Sequence, residues 1–179
     1  MVLSDTHMPR RAKALPQCVI AALADAEHII HAGDITALEV LDTLATFAPV
    51  TAVAGNIDPP EMQRALGEKK LLRLGGFAIG VCHGHGSKGS TLQRAIATFE
   101  GEGVDLVVFG HSHIPYLGQH DGVLLMNPGS PTDKRRGKCF SYGMIETSET
   151  ISASIVYFDG EGALYPGDWV RRSSVATDI

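Results

Sequence analysis

Over the first two-thirds of the chain, short unbroken apolar runs alternate with longer stretches that place an apolar residue every three or four positions. The runs fit strands buried on both faces and the stretches fit helices with one buried stripe, so the alternation predicts parallel strands linked by helical crossovers. Residues 2–4 predict a very short first strand. Leu15, Val19, Ile20 and Leu23 mark one face of a helix, with Pro16 in its first turn, where the missing N–H would be unpaired in any case. Residues 28–31 predict the second strand. Thr36 is expected to cap a helix buried through Leu38, Leu41, Leu44 and Phe47, closed by Pro49 before a strand over 50–54. A second sheet is expected to begin with a hairpin, 69–74 and 77–82, because Gly75-Gly76 can supply the positive φ of a tight turn. A helix from about Ser90 carries Leu92, Ile96 and Phe99 and leads into a strand over 104–109. Beyond it, 114–118, 123–126, 139–146 and 151–158 read as an antiparallel meander. Residues 1–170 are expected to form one domain, with 171–179 a polar, fraying tail.

Composition narrows the class. The 179 residues, 44% hydrophobic and 20% charged, suffice for one packed core and are few for two domains. A net charge of -5 excludes a global basic field drawing the chain to nucleic acid or an anionic membrane, so an anionic substrate must be attracted locally. Cys18, Cys82 and Cys139 are odd in number and widely spaced, which argues against a disulfide framework or zinc ribbon and fits a reducing cytoplasm. No apolar run approaches the ~20 residues of a membrane span, and the first motif begins at once, so neither a span nor a signal peptide is expected.

Candidate chemistry collects at the ends of the apolar runs: Asp5-Thr6-His7, Gly33-Asp34, Gly55-Asn56, His83-Gly84-His85 and Gly110-His111-Ser112-His113. Loops at the carboxyl ends of strands are where open α/β sheets place ligands, so residues spread over a hundred positions converge on one edge. Carboxylate, amide carbonyl and imidazole without thiolate suit borderline divalent ions such as Mn, Fe, Ni or Zn. A carboxylate can bridge two ions ~3.5 to 4 Å apart, and a water between them drops its pKa from ~15.7 toward ~7, giving a hydroxide nucleophile. Each motif alone is ordinary loop chemistry. Five of the eight histidines fall within them, however, and the two-residue period points His111 and His113 to one side, a chelating arrangement.

In this order the motifs resemble the signature of the calcineurin-like metallophosphoesterase superfamily, D-x-H, G-D, G-N, H and G-H-x-H, over Asp5 to His113. Asn127-Pro128-Gly129-Ser130 resembles a further element of the small bacterial YfcE-type phosphodiesterase branch, whose length also fits. The resemblance implies an α/β fold, a four-layer α-β-β-α sandwich of two mixed sheets flanked by helices. It implies that Asp5, His7, Asp34 and His113 hold one divalent metal ion, and that Asp34, Asn56, His83 and His111 hold a second, with Asp34 as the bridge. Manganese is the expected ion, with iron, nickel or zinc as alternatives. Phosphomonoesterase branches follow G-N with a histidine that protonates the leaving group; here Ile57 stands there, followed by Asp58. That gap favours a phosphodiesterase over a phosphomonoesterase, with His85 and Asp58 as candidate catalytic groups and His85 or a metal-bound water as proton source. His83 is preferred to His85 as the ligand because it lies nearer the strand end.

Arg10 and Arg11 after the first motif, Lys88 after the fourth and Lys134-Arg135-Arg136 after the Asn-Pro-Gly-Ser element are expected as a local positive rim. Arg10, Arg11, Lys88 and Arg135 are the candidate substrate contacts. Cys82 is expected to be an inert buried thiol, and His28, His31 and His120 are assigned no catalytic role. The expected partner is a small phosphate ester, with no membrane and no extended nucleic-acid surface, and the protein a monomer or homodimer. The rival reading is a non-catalytic protein-binding scaffold of the same fold, as in a retromer subunit that works through protein contacts. Loss of ligands would favour it, and here the ligand set is intact. A nuclease using the same centre would want a larger basic surface or an added domain.

Overall fold

A strand buried on both faces needs a layer on each side, and the apolar runs satisfy this by stacking two sheets between helices. The computed structural model describes residues 1–165, 167 and 169–173, the last five through their backbone. Three short parallel strands, β1 (Val2–Leu3), β2 (Ile29–His31) and β3 (Val50–Ala52), lie side by side. The crossover helices α1 (Gln17–Leu23) and α2 (Leu38–Ala45) cover their outer face. The hairpin of β4 (Lys69–Leu74) and β5 (Phe77–Cys82) turns at Gly75 and Gly76, with φ of 56° and 87° as a mirror-image two-residue turn requires. Helix α4 (Thr91–Thr98) starts with a capping box, in which Ser90 and Gln93 each accept the other's backbone N–H. It is followed by β6 (Leu106–Val108), parallel to β5.

Two expectations are corrected, and one helix is added. Helix α3 (Pro60–Leu66) occupies a segment for which no element was expected; Pro60 takes the first helical position, where proline is favoured. Thr36 does not cap α2: it has a φ of 78°, its hydroxyl donates to the Met8 carbonyl, and Ala37 takes the cap position. The buried stripe of α2 is therefore Val40 and Leu44, flanked by Leu41 and Phe47, while Leu38 is 51% exposed. The third-quarter strands are not one meander. β7 (Tyr116–His120) and β8 (Val123–Asn127) form one hairpin, and β9 (Phe140–Thr147) and β10 (Thr150–Phe158) another, but β8 runs parallel to β6 whereas β9 runs antiparallel to β1. The cause is the apolar segment 124–126. Leu124 and Met126 face the other sheet and Leu125 faces α4, which suits an interior position rather than an edge.

Among the described residues the first sheet has the order β11-β10-β9-β1-β2-β3, where β11 spans Leu164–Tyr165 and β12 (Trp169–Ser173) also pairs with β10. The second has the order β4-β5-β6-β8-β7. Residues 171–173 of the expected tail thus belong to β12, and 174–179 lie outside the described residues. Alternation along the strands sorts the core into three layers. Leu3 and Ile29 meet the outer helices, Val2, Ile30, Ile79, Val81, Leu106 and Met126 fill the space between the sheets, and Cys82 and Val107 meet Phe99 and Ala95 of the α4 layer. The result is the four-layer α-β-β-α sandwich. No helix among the described residues is long and apolar enough to cross a membrane.

Candidate metal centre

The loops that leave β1, β2, β3, β5 and β6 meet at one edge of the two sheets, and their backbone is unusual there. Asp5, His7, Asp34, His111 and His113 have φ values of 54°, 46°, 56°, 68° and 58°, a left-handed conformation that costs a non-glycine residue roughly 1–3 kcal/mol. The reversal turns each side chain back toward a shared point. Close approach also demands glycine: a β-carbon on Gly55 would collide with the Asp34 carboxylate, and one on Gly110 with the Ser4 hydroxyl.

Two groups of ligand atoms result. Asp5, His7 and His113 form one, and Asp34, His83 and His111 the other, with the atoms of each group within 4.8 Å of one another. In the first, His113 Nε2 lies 3.2 Å from Asp5 Oδ1 and 3.1 Å from His7 Nε2. In the second, His83 Nε2 lies 3.2 Å from Asp34 Oδ2. That same Oδ2 lies 3.6 Å from His7 Nε2, so it stands between the groups.

The donor set fits cations. The backbone carbonyl of Ala32 faces His83 Nδ1 at 2.7 Å, and that of Asp133 faces His113 Nδ1. A neutral ring donating through Nδ1 leaves a bare lone pair on Nε2. Lone pairs on His83 Nε2 and Asp34 Oδ2 only 3.2 Å apart repel unless positive charge lies between them, whether a proton or a metal ion. Asp5 Oδ1, His83 Nε2, His85 Nδ1 and His111 Nδ1 are buried without a hydrogen-bond partner, the condition of atoms that await an ion.

The titration shifts have the same cause. Burial pulls the His83 imidazole down, but the Asp34 carboxylate 3.2 Å away and the field of Asp5 outweigh that and raise it above the ordinary histidine value. Burial would lift the Asp5 carboxyl, yet the imidazoles of His113 and His7 close beside it and the charges of His83 and His113 hold it well below the carboxylate range. Asp34 is likewise lowered, against burial, chiefly through His83. His111 is lowered by burial and then by the neighbouring His83 charge.

A second layer of residues fixes these loops. Asp58 is buried, and its carboxylate accepts backbone N–H bonds from Asp34 (3.1 Å), Ile35 (2.7 Å), Thr36 (2.7 Å) and Gly55 (2.7 Å). It ties the Asp34 loop to the Gly55 loop, and both oxygens of Asp58, a candidate catalytic group in the sequence, are engaged by backbone N–H groups. Ser130 Oγ donates to the Asp5 carbonyl and Thr132 Oγ1 to that of Thr6, while Asn127 Nδ2 donates to Gly110 and to Ser112. The Asn-Pro-Gly-Ser element thereby clamps both histidine-bearing loops of the first group. Arg94 on α4 donates to the carbonyls of Gly84, Lys88 and Gly89 and to Thr91 Oγ1, stapling the loop after His83. His31 is fully buried with Nε2 3.1 Å from Thr6 Oγ1.

The remaining expected residues divide. His85 sits at the edge of the second group, its ring centroid 5.6 Å from that of His83 and 6.3 Å from that of His111, and its Nε2 4.0 Å from the exposed Glu68 carboxylate. Asn56 is exposed on the loop beside Ile57, whose N–H donates to Asp34 Oδ1. Arg11 reaches the 133–138 loop that carries Arg135, through an ion pair of 3.2 Å to Asp133. Lys88 is apart from these, on the loop stapled by Arg94. Cys82 is buried and its thiol pushed up to about 12, chiefly by desolvation, as an inert core thiol should be. Asp58, Arg94, Ser130 and Asp133 were not readable as positioning groups. The one sequence signal was that Ser130 stands within, and Asp58 two residues after, the recognised motifs.

The defining pattern of the calcineurin-like phosphoesterase superfamily domain matches residues 1–150. A protein named a probable metallophosphoesterase from Methanothermobacter thermautotrophicus is 39% identical over 138 residues, 75% of this chain and 77% of its own length. Another of that description from Methanocaldococcus jannaschii is 40% identical over 136 residues, 75% of this chain and 68% of its own. The crystal structure of Chaetomium thermophilum Vps29 superimposes with a TM-score of 0.83 over 97% of each chain, at 16% identity.

Proposed function

Because the chain belongs to the calcineurin-like phosphoesterase superfamily, we propose that it is a metal-dependent phosphodiesterase that hydrolyses a small phosphate ester. Asp5, His7, Asp34 and His113 would hold one divalent ion and Asp34, Asn56, His83 and His111 the other, with manganese as the expected ion. The observation that carries this is Asp34 Oδ2, placed between His7 Nε2 and His83 Nε2 at 3.6 and 3.2 Å. When bound, such ions polarise phosphoryl oxygens and acidify the attacking water. The chain supplies the rest. Ala32 and Asp133 carbonyls fix the imidazole tautomers, Asp58 holds the Asp34 loop, and the left-handed backbone presents the ligands before any ion arrives.

His85, at the edge of the second group, is the proton donor to the leaving oxygen, oriented by Glu68. Ile57 offers no proton where monoesterase branches place histidine, so substrates with good leaving groups are preferred. Arg10, Arg11, Lys88 and Arg135 supply positive charge that a chain of net charge -5 otherwise lacks.

The test is a chelated, purified protein reloaded with each metal separately and assayed on diesters and monoesters. Bis(p-nitrophenyl) phosphate should be turned over at least about a hundredfold faster than p-nitrophenyl phosphate. Asp34→Asn should lower that turnover by about a thousandfold. Inactivity of every reloaded form on every ester would replace this reading with a non-catalytic scaffold.

A further inference from the structure

We propose that the substrate carries a second phosphate group beside the ester that is cleaved, and that Arg10, Arg11, Arg135 and Arg136 bind it on the His7–His113 side of the centre. This rests on the phosphodiesterase reading of the same site and adds its substrate class.

The argument begins with how cations are distributed. Arg10 and Arg11 follow His7 directly, and Arg135 and Arg136 lie more than a hundred residues later, yet the fold brings the two segments together. Arg11 Nε is 3.2 Å from Asp133 Oδ2, and the Arg11 N–H donates to the His7 carbonyl at 2.9 Å. The carbonyl of the same Asp133 faces His113 Nδ1, and its Oδ1 accepts the Arg135 N–H at 3.3 Å. Each basic segment is therefore tethered to a ligand of one metal group. Arg135 is held in a left-handed conformation, φ 44°, which this Asp133 contact supports.

The four guanidinium groups are exposed, and among the described residues Asp133 is the one carboxylate that pairs with any of them. Lys134, by contrast, is already engaged, with its ammonium donating to Gly137 at 3.0 Å and lying 5.8 Å over the Phe140 ring. The opposite side of the centre has another character: Glu68 lies 4.0 Å from His85, and Lys88 sits on the stapled loop.

Charge matching selects the ligand. A phosphodiester carries one negative charge, which two divalent ions held by the Asp5 and Asp34 carboxylates would already balance. The two segments bring four arginines to one flank with a single paired carboxylate, a surplus of positive charge that a further anion would neutralise. A terminal phosphate brings about -1.5 to -2 and three acceptor oxygens, and the guanidinium fork matches phosphate oxygens two at a time. The flank chosen also orients the ester, with the extra phosphate over His7 and His113 and the leaving group toward His85.

The experiment compares the dinucleotide TpT with its 5′-phosphorylated and 3′-phosphorylated forms, using the metal-reloaded protein. One phosphorylated form should show a KM about tenfold below that of TpT, the advantage shrinking as NaCl rises from about 50 to about 300 mM. In Arg10→Ala/Arg136→Ala the ratio should fall to near one. A ratio near one in the native protein, or one unchanged in the double variant, overturns the proposal. If TpT and bis(p-nitrophenyl) phosphate are both inert, the phosphodiesterase reading fails by itself. The rim is then decided by titration calorimetry of the metal-free protein: about tenfold tighter binding of a phosphorylated form, lost in the variant, supports it, and equal binding rejects it.

Discussion

Two buried aspartates in this site serve opposite ends. Asp34 leaves one oxygen to face the imidazoles, whereas Asp58 gives both of its oxygens to four backbone N–H groups. Replacing Asp58 by Asn turns one acceptor into a donor that confronts two of those N–H groups, and each unsatisfied buried donor costs about 1–3 kcal/mol. Asp58→Asn should thus lose roughly 2–4 kcal/mol in urea denaturation and bind metal more weakly, and an unchanged midpoint would reject the clamp. His31 supplies a pH dependence. Burial, outweighing the opposing field of Asp5, pushes its pKa down from 6.5 to about 4. Unfolded, the ring takes a proton below about 6.5; folded, only below about 4, so the unfolded state binds the extra proton between these values. Stability of the metal-free protein should therefore fall as the medium is acidified through that window, by up to about 3 kcal/mol from this residue, with His111 acting in the same sense. His31→Gln should flatten the fall between pH 6.5 and 4, as measured by urea midpoints at several pH values. The six residues that meet in the two groups were legible because each stands at a strand end in a short motif. Asp58 and Ser130 were not, since their partners are backbone atoms of distant segments and no residue type announces that.

Among the elements, α4 shows how a helix can hold a site it does not enter. All of the guanidinium bonds of Arg94 go to the 84–91 segment, so the helix carries the loop after His83 as a rigid extension of itself. Arg94→Met removes them while keeping an apolar stem of similar reach. Amide exchange in residues 84–89 should then accelerate, and metal affinity at the His83 group should drop by about tenfold, as read by metal titration. Unaltered exchange would show that the staple is redundant. The start of α4 was readable from Ser90 and Gln93, and the β4–β5 turn from its two glycines, because both are local chemistry. The cap of α2 was misplaced because the Thr36 hydroxyl is drawn away by Met8, a tertiary contact, and α3, a short helix with one buried residue, Met62, has too little apolar periodicity to stand out. Likewise, a strand pattern alone does not say which of two sheets receives it, which is how β8 and β9 came to be read as neighbours.

For the molecule as a whole, the two sheets are joined at the metal edge by residues from both. Asp5 and Asp34 come from the first sheet's loops, His83, His111 and His113 from the second's. An ion bound there cross-links the halves of the sandwich in the folded state alone. A divalent ion at about a hundred times its Kd should stabilise the fold by about 2.7 kcal/mol, raising Tm by about 5 to 10 °C in a chain of this size. Differential scanning calorimetry with and without chelator measures this, and a Tm indifferent to both metal and chelator would refute a centre spanning the sheets. The left-handed ligand residues have a consequence of another kind. Their side-chain directions are set by main-chain turns that Asp58, Asn127 and Ser130 keep in place, so the hollow does not depend on which particular donors fill it. Point substitutions at the ligand positions retune which ion is preferred while the turns pass unchanged to descendants. In an evolving lineage, the mineral preference of this hollow is thus far easier to rewrite than its shape.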